Sequence, residues 1–468
     1  MIFHQRHAED AKGGLLISDR LCATAHPCLN KSVFKELWQQ FTFGTSVLTV
    51  TECNDCIFTV GDAVPPPLDG YDYSIGIEPC GFGVRAKSEQ DLIRGFMMLL
   101  DRLTADEDDG RCVARAEYTR IRGRADIGCR MVHFCVFPET ELWELRRFLR
   151  FSAALCYTHV ILEFWGSLRL ECLSELSWPS AFSKDELRPI LSEAQDLGLE
   201  IVPMFNHWGH ASQSRIMHGK HVLLDQNPAL APYFTDDGWC WDIRKPKVRA
   251  QLGAIRAELC ELCGDGGYFH VGCDEAYGFD FKKESMDILT DFLNEISTDM
   301  KKKGRRIIAW GDMLLYRHEH YSRTNTYTCN APSAEAAQYM LDRLDKSILI
   351  ADWQYEAKHA PVQTASVFKE AGFDTLLCPW DKGTEQLTAC LNTARQEGLF
   401  GIIHTTWHTL SSGMPFVLLC ARGAYNTEAP LTLLPAYQKT AALLRRVMSP
   451  GGDYERAGWS HKQVGFRW

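Results

Sequence analysis

The chain has no long hydrophobic run. No window of its 468 residues approaches the roughly 18 uninterrupted apolar positions of a membrane-spanning helix. Extended basic clusters are also missing: 60 acidic side chains against 50 basic ones leave a net charge of −10. The longest basic stretch is KKKGRR, Lys301 to Arg306. It closes a helical pattern, where positive charge suits the C-terminal dipole. A polyanion such as nucleic acid is therefore not an expected partner. No strand-turn-helix junction carries the glycine-rich phosphate fingerprint, which argues against a dinucleotide-binding open sheet. No His/Asp set has i,i+4 ligand spacing, so neither a metal nor a cofactor is expected, and His133 and His207 read as pocket-wall or core histidines. The N-terminal MIFHQRHAEDAKGG has no apolar h-region and no small-residue cleavage site, so a cytoplasmic location with reduced thiols is the expectation. Nothing specifies an oligomeric state.

Eighteen cysteines are dense for a large enzyme but far too few for a disulfide scaffold. Two pairs have C-x-x-C spacing, Cys53/Cys56 and Cys260/Cys263. The second falls inside a helical pattern (Val248, Leu252, Ile255, Leu259), so small buried thiols are preferred over a four-thiolate zinc site.

What the chain does have is ordinary globular composition, 46% hydrophobic and 24% charged, and a strong rhythm. Eight short apolar runs occur in order: 128–136, 157–165, 199–205, 267–272, 306–311, 347–353, 373–380 and 399–407. Most are near-continuously apolar, as strands covered on both faces must be. Amphipathic helical stretches separate them, such as ETELWELRRFLRFSAAL and KESMDILTDFLNEISTDMKKKG. Ser183 before KDEL offers a capping oxygen, and Gly198 and Gly304 stand where C-cap glycines belong. This alternation predicts an α/β fold, a (β/α)8 TIM barrel over 123–425, preceded by a small α+β domain over 1–122. Residues 426–468 form a C-terminal helix, Leu434 to Val447, and a polar tail packed on the barrel. PPPLDG at 65–70 reads as a turn or linker, and Glu89 to Leu103 as a helix. The connection from Asn206 to Lys245 is too long for an ordinary loop and rich in aromatics, which marks it as functional.

In a barrel the chemistry lies at the C-terminal ends of the strands. Strand one holds Arg130 and His133, and strand two runs into Glu163. Strand three ends in Asn206-His207-Trp208-Gly209-His210, and strand four in Cys273-Asp274-Glu275. Strands five to eight deliver Trp310, Trp353 with Tyr355, Trp380 with Asp381, and Trp407. Four tryptophans at one rim favour a wall of platforms for sugar-ring faces, with a flat aromatic ligand as the competing explanation. Asp274-Glu275 emerges from a buried strand into this cup. A carboxyl in apolar surroundings titrates high, which suits Glu275 to general-acid work. Asp312 reads as a helix cap and Trp208 as packing beneath the long loop.

These residues resemble a family. His270-Val271-Gly272-Cys273-Asp274-Glu275 is similar to the H-x-G-G-D-E signature of glycoside hydrolase family 20, the β-N-acetylhexosaminidases, with Cys273 in place of the second Gly. Trp208-Gly209-His210-Ala211 resembles its P-G-H-A turn, DIRKPKVR (242–249) its D-P-x-x-P-x-V segment, and the tryptophans of IIAWGD and TTWH its strand-five and strand-eight tryptophans. SIGIEPCGFGVRAKSEQDLIRGFMMLLDRL looks like the end of its small domain. The resemblance covers roughly 70–410 in order.

It implies a retaining exo-β-N-acetylhexosaminidase whose substrate's 2-acetamido oxygen attacks the anomeric carbon. Asp274 would orient the amide and Glu275 would be the acid, then the base. Trp310, Trp353 and Trp407 would box the acetamido group and ring. Arg130 would bind sugar hydroxyls, and His210 would support the acidic pair. The chain departs from the family at Arg130 to Cys135 (family R-G-x-M-L-D), at Asn206 (family Asp) and at His408-Thr409 (family W-x-E). The strand-seven tyrosine has no clear match, so Tyr355 is the candidate for its hydroxyl and Asp381 for the lost acid. Two alternatives stay open: a glycosidase of altered sugar specificity, with Glu163 as nucleophile, and a non-catalytic carbohydrate-binding barrel.

Overall fold

The computed structural model describes residues 8–137, 140–212, 223–317 and 326–448. Residues 213–222 of the long connection and the polar tail after 448 lie outside them. No helix among the described residues is long and apolar enough to cross a membrane.

The N-terminal part is a mixed sheet of β1 (Ala8–Leu16), β2 (Arg20–Ala25), β3 (Val47–Glu52), β4 (Ile57–Gly61), β5 (Tyr73–Glu78), β6 (Gly81–Ala86), β7 (Leu103–Asp108) and β8 (Arg111–Gly123). The strand order is β1-β8-β5-β6-β4-β2-β3, with β7 paired to β8. Helices Ser32–Phe41 and Glu89–Leu100 bury apolar stripes against the sheet. Trp38 stacks on Phe82 at 5.8 Å, and Phe58 meets Phe96 edge-on at 5.1 Å, which makes this layer's core aromatic. The residue pattern showed β3, β4, β5 and the second helix, and the family resemblance covered β6 as well. The others alternate polar and apolar residues too weakly to stand out from turns. PPPLDG is more than a turn. Its prolines cross β5 and β6 at Gly76 and Gly83, where a Cβ on Gly83 would stand 2.9 Å from the Pro65 ring. The glycines make room for the strap.

The eight apolar runs become β9 (Cys129–Cys135), β10 (His159–Glu163), β11 (Glu200–Met204), β12 (Tyr268–His270), β13 (Arg306–Trp310), β14 (Leu349–Asp352), β15 (Thr375–Leu377) and β16 (Gly401–Thr405). They pair in parallel and in order, and β16 closes on β9. This is a (β/α)8 barrel. Met131, Ile161, Val202, Ile308, Leu349, Leu376 and Ile403 fill its interior, while the alternate residues pack under the helices. Strands are shorter than the apolar runs because the last residue or two of each run turns into a rim loop. Ser183 and Glu186 form the expected capping box: Ser183 N–H donates to Glu186 Oε2 at 2.8 Å and Glu186 N–H to Ser183 Oγ at 3.3 Å.

Helix Leu433–Val447 touches both layers. Its Leu444 carbonyl accepts from Arg147 and its Val447 carbonyl from Arg150, both on helix Leu142–Ala154. Arg446 donates to the carbonyls of Phe41 and Leu103 in the N-terminal layer. Arg150 also binds Glu36 and Glu193, each at 2.6 Å, and Tyr73 and Tyr425 share a hydrogen bond across the layers.

Candidate active site

Two glycines let the third and fourth rim loops meet. A Cβ on Gly209 would stand 1.9 Å from the Asp274 carbonyl oxygen, and one on Gly272 1.8 Å from Asn206 Oδ1. Gly272 also has φ +68°, which favours glycine. Its N–H donates to His270 Nδ1 at 3.0 Å and its carbonyl accepts from Trp310 N–H at 2.9 Å. The backbone then carries Cys273 (φ +77°) and Glu275 (φ +48°) through the left-handed region, and His210 (φ +55°) and Trp407 (φ +44°) share it. Four non-glycine residues in that region at one rim are a concentration of strain that the surrounding contacts must hold.

Those contacts are visible around Glu275. Its N–H donates to Asp312 Oδ2 at 2.9 Å, its carbonyl accepts from Trp239 Nε1 at 2.6 Å, and its Oε2 accepts from His210 Nε2 at 2.9 Å. His210 Nε2 also lies 3.5 Å from Asp274 Oδ2, so one imidazole spans the acidic pair. Asp274 is 5% exposed, and its Oδ1 has no hydrogen-bond partner among the described residues. Burial pushes the Asp274 carboxyl well above the usual range, and the carboxylates of Asp312, Glu275 and Glu163 push the same way against His210.

The tryptophan wall forms a continuous chain. Trp310 lies 5.6 Å from Trp407, and Trp407 Nε1 donates to the Tyr355 hydroxyl at 2.7 Å. The Tyr355 hydroxyl also sits 3.1 Å from Thr405 Oγ1. The Tyr355 ring is 5.2 Å from Trp353 and 5.1 Å from Trp380. Trp380 Nε1 donates to Thr409 Oγ1, and Asp381 follows it with its carboxylate near Gly413. Trp310 is nearly fully buried and forms the floor.

Asp312 joins this wall to the acidic pair. Its Oδ1 accepts from Trp353 Nε1 at 3.2 Å, while Oδ2 takes the Glu275 N–H and Asn330 Nδ2 at 2.7 Å. Burial raises its own titration. It is not the helix cap expected from the sequence, but the first residue of a single 3-10 turn, Asp312–Leu314. Its place two residues after the strand-five tryptophan was the available signal. Trp239 was also unassigned. It came from the aromatic long connection, stacks on Tyr277, and places its ring 4.7 Å from that of His210.

Two expectations need correction. Arg130 does not reach the rim. It is the second residue of β9, at the opposite end of the barrel, and its guanidinium donates to the carbonyls of Ile127, Gly128 and Cys156 at 2.8–3.1 Å. Alternation puts Met131 and His133 inward and sends Arg130 outward. Glu163 does point inward but is fully buried, with Oε2 on His133 Nε2 at 3.0 Å and Oε1 accepting from Asn206 Nδ2 at 2.7 Å. Fully buried and held through both oxygens, its carboxylate does not open into the cup as a nucleophile must. Asn206 thus serves Glu163. His133 packs edge-on against Trp407 at 4.8 Å beneath the wall. His207 is a core residue: its Nδ1–H donates to the Phe205 carbonyl and burial keeps the ring neutral.

The profile of the glycosyl hydrolase family 20 catalytic domain matches residues 158–382. The fold is similar to that of an exo-β-N-acetylglucosaminidase from Vibrio harveyi, at 13% identity and TM-score 0.69 over 95% of this chain and 77% of that one. It is also similar to β-N-acetylhexosaminidases from Bacteroides fragilis (16%, TM-score 0.63, 97% and 95% covered) and Streptomyces coelicolor (14%, TM-score 0.64, 97% and 96% covered). Identities this low speak for the fold alone, whereas the profile match spans the strands that carry His210, Asp274, Glu275 and Asp312. Over residues 158–382 the chain therefore carries a match to the catalytic domain of glycosyl hydrolase family 20.

Proposed function

We propose that the protein is a retaining exo-β-N-acetylhexosaminidase that uses its substrate's acetamido oxygen as the nucleophile. The observation that carries this reading is the buried, unpartnered Oδ1 of Asp274 beside Glu275. A buried carboxylate oxygen without a partner is costly unless a ligand supplies a donor, and the amide N–H of an N-acetylhexosamine is such a donor. Asp274 receives that N–H, turns the amide oxygen toward the anomeric carbon, and offsets the positive charge that develops on the oxazolinium. Glu275 protonates the leaving oxygen, then takes a proton from the incoming water. His210 donates to Glu275 Oε2 and holds the carboxyl in place. Trp310, Trp353 and Trp407 enclose the acetamido group and the ring, and the Tyr355 hydroxyl, held by Trp407 and Thr405, binds the acetamido oxygen. Trp380 and Asp381 face the outer sugar hydroxyls. With Arg130 absent from the rim, no strand-one guanidinium contributes.

The test is hydrolysis of aryl β-N-acetylglucosaminide and β-N-acetylgalactosaminide by wild type and Glu275→Gln. Wild-type turnover should fall by about 10²–10⁴-fold in the variant, with the loss shrinking for leaving groups that need no protonation. A thiazoline analogue of the intermediate should bind far more tightly than free sugar. Equal binding of the two would refute acetamido participation, and no turnover by folded wild type would move the reading to another sugar.

A further inference from the structure

The C-x-x-C at Cys53/Cys56 acquires new neighbours in the fold. β2 lies between β3 and β4 in the sheet, so the chain leaving β2 at Ala25 passes beside the β3–β4 turn. Backbone bonds clip the segments together: Cys53 N–H donates to the Ala25 carbonyl at 2.9 Å, and His26 N–H to the Ile57 carbonyl at 3.0 Å. Ala86 N–H donates to the Cys56 carbonyl at 3.0 Å, which brings in the start of helix Glu89–Leu100. An H-x-C segment, a C-x-x-C turn and an acidic first helical turn therefore meet at one end of the sheet.

From this convergence we infer that His26, Cys28, Cys56 and Glu89 form a binding site for one zinc ion. Ligand atoms of His26, Cys28 and Glu89 already lie within 4.8 Å of one another. Zn–S near 2.3 Å and Zn–N near 2.0 Å place tetrahedral donors about 3.3–3.8 Å apart, so small rotations close these three around an ion. Cys56 lies outside that trio, on the turn whose carbonyl accepts from Ala86 N–H three residues before Glu89, whereas the Cys53 thiol turns to the Asp55 carbonyl. Two thiolates with an imidazole and one carboxylate favour zinc over the hard cations.

The hydrogen bonds present do not account for the cluster. His26 Nε2 is 3.9 Å from Glu89 Oε1, too long for a hydrogen bond, and His26 Nδ1 accepts only a long 3.3 Å bond from Cys28 N–H. Two other clusters of this kind, His133/Cys135/Glu163 and His210/Asp274/Glu275, are already knitted by hydrogen bonds within the active site.

Binding replaces the Cys28 and Cys56 thiol protons, so two protons leave for each ion bound. Protons compete with the ion for both thiolates, so affinity should fall as pH drops. The ion would pin the β3–β4 turn and the exit of β2 to the second helix.

The experiment is metal analysis of the full chain purified under reducing conditions without chelator. About one equivalent of zinc is expected, falling to background in Cys28→Ser and Cys56→Ser and unchanged in Cys22→Ser, an exposed control thiol. Cobalt exchanged into wild type should give a thiolate charge-transfer band in the near ultraviolet. Glu89→Gln, on an exposed carboxylate that leaves the fold intact, should weaken zinc at least tenfold in a chelator competition. Less than a tenth of an equivalent in wild type, zinc that persists in the Cys28→Ser/Cys56→Ser double variant, or a Cys28–Cys56 disulfide in peptide mapping would each overturn the site. Hydrolysis of the aryl glycosides is a separate readout.

Discussion

At the scale of single residues, the site depends on backbone joints that side chains must hold. Asp312 makes three bonds around the acidic pair, and an amide in its place retains an acceptor on only one side. Asp312→Asn should lower kcat of aryl-glycoside hydrolysis by about 10²-fold, in line with losing a preorganised contact at a reacting group. Combined with Trp353→Phe, the loss should be less than additive, because both changes cut the same link. Gly209→Ala forces a methyl into the Asp274 carbonyl. It should destabilise the protein by about 3 kcal/mol or more and abolish turnover, as read by urea melts and activity together. The sequence made Asp274, Glu275 and His210 legible because they sit in contiguous motifs at strand ends. Asp312 was hidden because its importance comes from whom it touches, and a hydrogen bond spanning 37 residues leaves no local mark. Arg130 misled for the opposite reason: the residue matches the family arginine, but its place at the start of β9 and its strand parity keep it from the rim.

Among the elements, β14 illustrates a cost the rim imposes. Asp352 closes this strand fully buried, with Oδ2 accepting from Thr364 Oγ1 at 2.6 Å and Oδ1 from Gln354 Nε2 at 2.8 Å. Desolvation outweighs these bonds and pushes its carboxyl to about 6. The folded value exceeds the unfolded one, so folding favours the neutral form. That stabilisation is complete below about pH 4, and is lost as pH rises through 6. The loss amounts to about 3 kcal/mol. Denaturant melts between pH 4 and 8 should show Asp352→Asn gaining on wild type by that order as pH rises. Periodicity located all eight barrel strands, since buried parallel strands must be apolar throughout. It failed for much of the N-terminal sheet, whose strands are half-exposed and whose order depends on pairings far apart in sequence.

On the scale of the whole molecule, Arg150 is the busiest contact between layers. Nearly fully buried, it ties Glu36 of the N-terminal layer to Glu193 of the barrel and to the carbonyl of Val447. Arg146 and Arg150 together hold the Glu193 carboxyl below the usual range. Arg150→Ala leaves a half-buried carboxylate short of a partner and should cost about 3 kcal/mol or more, seen as a lower urea midpoint with unchanged KM. The helix Leu433–Val447 also joins the layers. It clasps a barrel helix and the N-terminal sheet with residues made some 300 positions after the first of them. During synthesis, therefore, part of each layer's surface stays uncovered after its own strands are complete. Both wait on the ribosome for a segment translated after the barrel has closed, and a chain stalled before Leu433 would present two unfinished surfaces to the chaperones that meet it.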